Sequence, residues 1–226
     1  MKKLIREVIT EIEVKTLLVS LLFLLSIFLF GFLAHEVVSE DENSFDNNVF
    51  AFFKLHTTPG IVGVMRILTF FGSTYFVIPA YLVLILILFL VHRRSDAINV
   101  AIVAITSTLL MLGLKQFFHR HRPDLPLVKT LTNFSFPSGH ALCSFIFCSV
   151  LIYLVDKGNL SLRWKWIFSV LLILLSIIIG ISRIVLRYHY ATDVLAGFCV
   201  GFAWVIFSLW LERKLTPRRV ELQLDA

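Results

Sequence analysis

Cysteine is nearly absent: Cys143, Cys148 and Cys199 are the three in 226 residues. Three thiols in a chain of this length exclude a disulfide framework. Charge is scarce as well, at 16% of residues, which excludes a disordered, solvating chain. The net charge is +6 and the pI is near 9.4, yet no block of five or six consecutive basic residues occurs. A nucleic-acid backbone needs a contiguous basic surface, so that class of partner is excluded too. There is no internal repeat and no low-complexity tract. What is present is apolar: 58% hydrophobic residues, 22 of them phenylalanine, with a mean hydropathy of +0.87. This is the composition of a membrane bundle rather than of a soluble globule.

A helix needs about 20 apolar residues to cross the hydrocarbon, and every span must be helical because lipid cannot satisfy open backbone groups. Six segments qualify: Leu17 to Ala34, Ile67 to Val91, Ala97 to Leu114, Ser138 to Val155, Trp166 to Ser182 and Val194 to Leu211. The expected architecture is an all-α, six-span bundle forming one domain over residues 1–226. The first segment lacks a clear A-x-A cleavage site and is read as an uncleaved span.

Counting Lys and Arg on alternate sides gives thirteen with the termini and eight opposite. By the positive-inside rule both termini are cytoplasmic. The loop from His35 to Gly60 is then outside, with its Glu36, Glu40, Asp41, Glu42 and Asp46. Thr57 to Ser73 is expected to be a short helix at the outer surface, either a connector or a lipid-entry element. Glu212 to Ala226 reads as a solvated tail.

The outside cations gather at two loops, beside three polar segments at span boundaries: KQFFHRHRP (Lys115 to Pro123), FPSGH (Phe136 to His140) and SRIVLRYHYATD (Ser182 to Asp193). Ionisable groups near hydrocarbon are costly, so several together mark a site. Lys115, Arg122 and Arg183 are three cations suited to a phosphate dianion, Arg through its planar fork and Lys as a point charge. Pro137-Ser138-Gly139 stands where the fourth helix begins, an N-terminus able to cradle an anion. Ser138 either caps that helix or donates its hydroxyl to phosphate. His189 and Asp193, four apart, share a helix face. Asp193 can fix the imidazole tautomer and leave the other nitrogen as nucleophile or base. With His140 as a second histidine, the set fits a two-step phosphoryl transfer. A two-metal mechanism would need bridging carboxylates. Only Asp124 and Asp193 lie near, among cations, so no metal or other cofactor is expected.

These segments match K-x6-RP, PSGH and SR-x5-H-x3-D, and the chain resembles the type 2 phosphatidic acid phosphatase superfamily, the lipid phosphate phosphatases. The resemblance implies a helical catalytic core shared with bacterial acid phosphatases and vanadium haloperoxidases. It implies metal-independent hydrolysis with His189 as nucleophile, Asp193 as its partner and His140 as acid and base. Lys115, Arg122, Ser138, Gly139 and Arg183 are implied phosphate ligands. The expected substrate is a phosphorylated membrane lipid, cleaved at the outer face of a bacterial plasma membrane. Phosphatidate, phosphatidylglycerophosphate, undecaprenyl diphosphate and lipid A phosphates all fit the motifs. The other readings are lipid-to-lipid phosphotransfer, hydrolysis of a soluble phosphate, and a non-catalytic lipid-binding or transport protein.

Several neighbours have plainer readings. His119, Arg120 and His121, inside the first motif but not at its fixed positions, are expected to be exposed at the interface, with contact to a lipid headgroup or a second phosphate as the other reading. Arg187 flanks the nucleophile as a candidate substrate contact. Asp124 either orients Arg122 or makes a turn. His35, His56 and His92 are interfacial, and Trp164, Trp166, Trp204 and Trp210 belong to interface belts or packing.

Overall fold

The computed structural model describes residues 2–39, 44–124, 126–128 and 130–215. Glu40, Asp41, Glu42, Lys129 and the tail beyond Leu215 lie outside the described residues. Eight helices and no strand occur among those described: α1 Lys2–Ser39, α2 Ser44–His56, α3 Pro59–Phe70, α4 Thr74–Leu90, α5 Arg94–Phe118, α6 Gly139–Lys157, α7 Leu162–Val185 and α8 Ala191–Leu215. Six stretches are long and apolar enough to cross a membrane: Thr16–Ser39, Pro59–Leu90, Arg94–Phe118, Gly139–Asp156, Leu162–Val185 and Ala191–Lys214.

The second stretch consists of two helices: α3 falls within the Thr57 to Ser73 segment expected to be a short helix, so Ile67 to Phe70 belong to α3, and α4 starts at Thr74. Thr58 caps α3, its Oγ1 accepting from the Ile61 N–H at 3.4 Å, with Pro59 in the first turn. Those are the usual marks of a helix start. The break at Phe71–Ser73 is enforced by packing. A Cβ on Gly72 would lie 2.5 Å from Ile179 and 3.2 Å from the His140 ring, so only glycine lets the turn sit against α6 and α7.

α6, α7 and α8 form the centre, with α1 lying along α8, α4 against α5 and α3 on α7. Leu142, Ile146 and Ala196 are fully buried, whereas Leu17, Phe28, Leu82, Ile105 and Leu171 point outward. An outward apolar surface of this extent suits lipid as solvent. Close approach of α6 to α8 depends on Gly197, where a Cβ would stand 2.7 Å from the Ser138 carbonyl oxygen. Small residues at such crossings let helix backbones meet without a hydrophobic drive from lipid.

Two helix endings aim the polar loops inward. α5 closes with His119 in the left-handed region (φ 50), which turns the chain back over the helix end. α7 closes as a Schellman motif around Arg187 (φ 57): Arg187 N–H donates to Ile184 O and Tyr188 N–H to Arg183 O, both at 2.9 Å. Arg187 thus has a backbone role in the turn that presents His189.

Candidate active site

Antiparallel connectivity brings four helix ends together: the C-terminal ends of α5 and α7 and the N-terminal ends of α6 and α8. Each sequence-predicted site residue lies there. His189 is 1% exposed and Asp193 fully buried. The ring Nδ1 lies 3.3 Å from Asp193 Oδ2, and Nε2 lies 3.2 Å from Arg122 Nη1. With an arginine N–H facing Nε2 and a carboxylate facing Nδ1, these partners assign the ring proton to Nδ1 and leave Nε2 with a lone pair.

Arg122 is fixed on three sides. Its Nε donates to Asn133 O at 2.7 Å, Nη2 to Asn133 Oδ1 at 2.8 Å and Nη1 to Tyr188 O at 2.5 Å. Asn133, rather than Asp124, orients it; Asp124 is exposed. Lys115 is buried in the last turn of α5 and its Nζ donates to the carbonyls of Phe134 and Ser135. Arg183 donates from Nη1 to Thr69 Oγ1 at 2.7 Å and lies over the Tyr188 ring at 4.2 Å. Its buried Nε has no hydrogen-bond partner among the described residues.

Ser138 caps α6, its Oγ accepting weakly from the Ala141 N–H at 3.5 Å. Its own N–H donates to Asp193 O at 2.9 Å, locking the α6 start onto α8. Gly139 opens the helix, where a Cβ would meet Met111 Sδ at 3.3 Å. His140 follows in the same turn, half-buried against Gly72 and within electrostatic reach of Arg183, His189, Arg122 and Lys115. No hydrogen bond joins the two histidines among the described residues.

Burial first, then the charges of Arg122, Arg183 and Lys115, hold His189 well below the ordinary imidazole pKa. The ring is therefore neutral at neutral pH, as a nucleophile must be. Burial also lowers Arg122 to about 10, leaving it charged. The arrangement can accept a tetrahedral dianion among Arg122, Arg183 and Lys115 and present Nε2 to its central atom.

Sequence reading missed several members. Arg120, expected to be exposed with His119 and His121, is 4% exposed and ion-paired, while His119 and His121 are exposed. Asp46, read only as an acidic loop residue, is fully buried. Ser135 donates from Oγ to Asp193 Oδ2 and stands 3.3 Å from His189 Nδ1. Thr69, within the expected short helix, and Asn133, in a loop, had no signal beyond being polar. An apolar groove of about 390 Å³ runs between α4 and α6, from Tyr75 and Phe76 to Ile87 and Leu151, and none of the site residues lines it.

Residues 96–217 match the family model of the PAP2 superfamily. The chain is 30% identical to phosphatidylglycerophosphatase B of Bacillus subtilis, over 70% of this chain and 78% of that protein. It is 25% identical to an undecaprenyl-diphosphatase of Sulfolobus acidocaldarius, over 90% of this chain and 96% of that one. Among solved structures, a transmembrane PAP2-type phosphatidylglycerolphosphate phosphatase from Bacillus subtilis superposes with a TM-score of 0.80 at 26% identity. That match covers 87% of this chain and 98% of the other.

Proposed function

The chain belongs to the PAP2 superfamily and is a multi-pass membrane phosphatase, and on that premise we propose that it removes phosphate from a phosphorylated membrane lipid through a phosphohistidine. The observation that carries this is the division of the His189 ring, Nδ1 turned to Asp193 and Nε2 to the cations. Nε2 attacks phosphorus as the bond to the leaving oxygen breaks, and that oxygen takes its proton from His140. Water then attacks the phosphohistidine, His140 accepts the water's proton, and inorganic phosphate leaves with His189 restored. Arg122, Arg183, Lys115 and the α6 N-terminus with Ser138 and Gly139 stabilise charge on the non-bridging oxygens.

No step calls for a metal, since Lys115, Arg122 and Arg183 supply the positive charge the phosphate needs. The lipid substrate is supported by the bundle's apolar exterior, which lets a headgroup enter sideways, and by the lipid phosphates named for the relatives. The excess of Lys and Arg on the side of the termini supports a site on the outer face of the plasma membrane, with both termini cytoplasmic.

Detergent-purified protein with EDTA should release inorganic phosphate from phosphatidylglycerophosphate or undecaprenyl diphosphate, and His189→Ala should not. Silence of the wild type on a broad panel of lipid phosphates would refute the reading. Labelled lipid acceptors would reveal phosphotransfer as a labelled lipid product in place of free phosphate.

A further inference from the structure

Two residues that hold no fixed position in the three motifs are as deeply built into the site as the motif residues. α8 begins after Tyr190, which carries no short side-chain acceptor for the helix's first N–H groups. Asp46, from the first turn of α2, supplies it across the fold. Its Oδ1 accepts from Thr192 N–H at 2.9 Å and its Oδ2 from Thr192 Oγ1 at 2.7 Å. The same Oδ2 accepts from Arg120 Nη2 at 3.0 Å.

Arg120 then reaches Asp193 Oδ1 from Nη1 at 2.7 Å, touches Thr192 Oγ1 at 2.7 Å and lies 4.0 Å over the Tyr190 ring. Asp193 Oδ2 is left for Ser135 Oγ, for the Tyr190 N–H at 3.0 Å and for His189 Nδ1. The two carboxylates and the guanidinium form a dry chain ending on the imidazole.

We propose that Arg120 and Asp46 are positioning residues of the reaction. Asp46 seats Arg120, Arg120 holds Asp193 by Oδ1 so that Oδ2 meets His189, and their opposed charges tune how tightly His189 holds a proton. The role in turnover rests on the phosphohistidine reading above. Burial opposes the charge of Arg120, but Asp193 and Asp46 outweigh it and raise its pKa, so it is a permanent cation.

Around His189, Asp193 on α8 and Arg122 after α5 touch the ring. Lys115 on α5, Arg183 on α7 and His140 on α6 act on it at longer range, and Arg120 after α5 and Asp46 on α2 stand behind Asp193. Removing one charge from a fixed set has a defined sign. Without the Arg120 cation the His189–Asp193 pair binds its proton more tightly, and without the Asp46 anion it binds it less tightly.

The test is a titration of the His189 ring by NMR in the full chain, labelled at histidine and held in detergent micelles. It is paired with the pH profile of kcat/KM on phosphatidylglycerophosphate. Arg120→Gln is expected to raise the midpoint and the acid limb by about one pH unit, a tenfold change in proton affinity. Asp46→Asn, which keeps an acceptor for Thr192, is expected to lower both. Arg120→Lys should hold the midpoint within a few tenths of a unit, yet lose about tenfold in kcat at unchanged KM because the fork is gone.

A helix-capping role alone would lower thermal stability in all three variants and move no midpoint. Unmoved midpoints, or shifts of the same sign in Arg120→Gln and Asp46→Asn, would overturn the proposal. If Arg120→Gln does not fold, Asp46→Asn still decides it: a lowered midpoint beside the unmoved one of Arg120→Lys supports the proposal, and an unmoved or raised one overturns it. Opposed shifts without lipid turnover would support the coupling and count against the phosphatase reading instead.

Discussion

The two ends of the bundle hold similar ion clusters in opposite surroundings. At the His189 end, Arg120 joins Asp46 and Asp193 with every side chain at most 2% exposed. At the far end, Lys157 joins Asp96 and Glu212 while 40% exposed itself, and Arg93 adds a second bond to Asp96. Glu212 also gathers Asn99 and Tyr153. Each cluster ties together segments far apart in sequence. Their costs differ, because removing a charge from water costs several kcal/mol per ion, whereas a wet pair contributes about 0–1 kcal/mol. Clamping helices needs only the wet version. The dry version is worth its cost where a group must be held in one protonation state and one orientation, as His189 is.

The largest expected effect follows from removing the group that the dry end exists to hold. His189→Ala should lower phosphate release by at least about 10⁴-fold while circular dichroism in detergent stays helical. Residual turnover within tenfold of wild type would mean that another atom attacks. Next comes Arg122→Lys, which keeps a cation but loses the fork shared by Asn133, Tyr188 and Nε2. It should cost about 10²-fold in kcat, measured as phosphate release at saturating lipid. A loss confined to KM would make Arg122 a headgroup anchor rather than a stabiliser of the reacting phosphate.

A third effect separates the ends by pH. His189 has a folded-state pKa below its unfolded value, so the unfolded chain binds the proton more readily. Its contribution to stability is complete above pH 6.5 or so and falls on acidification, by about 1.4 kcal/mol per unit until the folded pKa is reached. The thermal midpoint of wild type should therefore fall between pH 7 and pH 5 more steeply than that of His189→Asn. Parallel slopes would show that burial of this ring does not govern acid sensitivity.

Why one end was so much more legible in the sequence than the other has a physical answer. The six spans were visible because hydrocarbon demands long unbroken apolar runs. Lys115, Arg122, His189 and Asp193 were visible through motif spacing, although His189 stands in the turn before α8 rather than on one helix face with Asp193. Arg120 was not, since it sits between His119 and His121 among interchangeable polar residues. Which of them turns inward depends on His119 adopting a left-handed conformation, usually announced by glycine. Asp46 was hidden more deeply, because its partners Arg120 and Thr192 lie 74 and 146 positions away and no local pattern encodes that pairing. The break near Gly72 was legible as the end of the short helix expected over Thr57 to Ser73, but the packing of Gly72 against His140 and Ile179 was not, because no local pattern encodes those contacts.

The smallest effect belongs to the wet end. Glu212→Gln keeps an acceptor for Asn99 and Tyr153 but discharges the attraction to Lys157, which already shares itself with Asp96. Solvent screens these groups, so the loss should stay below about 1 kcal/mol, a shift of a few degrees in thermal midpoint in low salt that shrinks as salt is added. kcat on the lipid phosphate should be unchanged, because α5, α6 and α8 remain packed and nothing at the far end touches His189. A tenfold fall in kcat at normal stability would mean that the ends communicate along α6 or α8. The dry cluster would then be one half of a coupled device rather than a self-contained site.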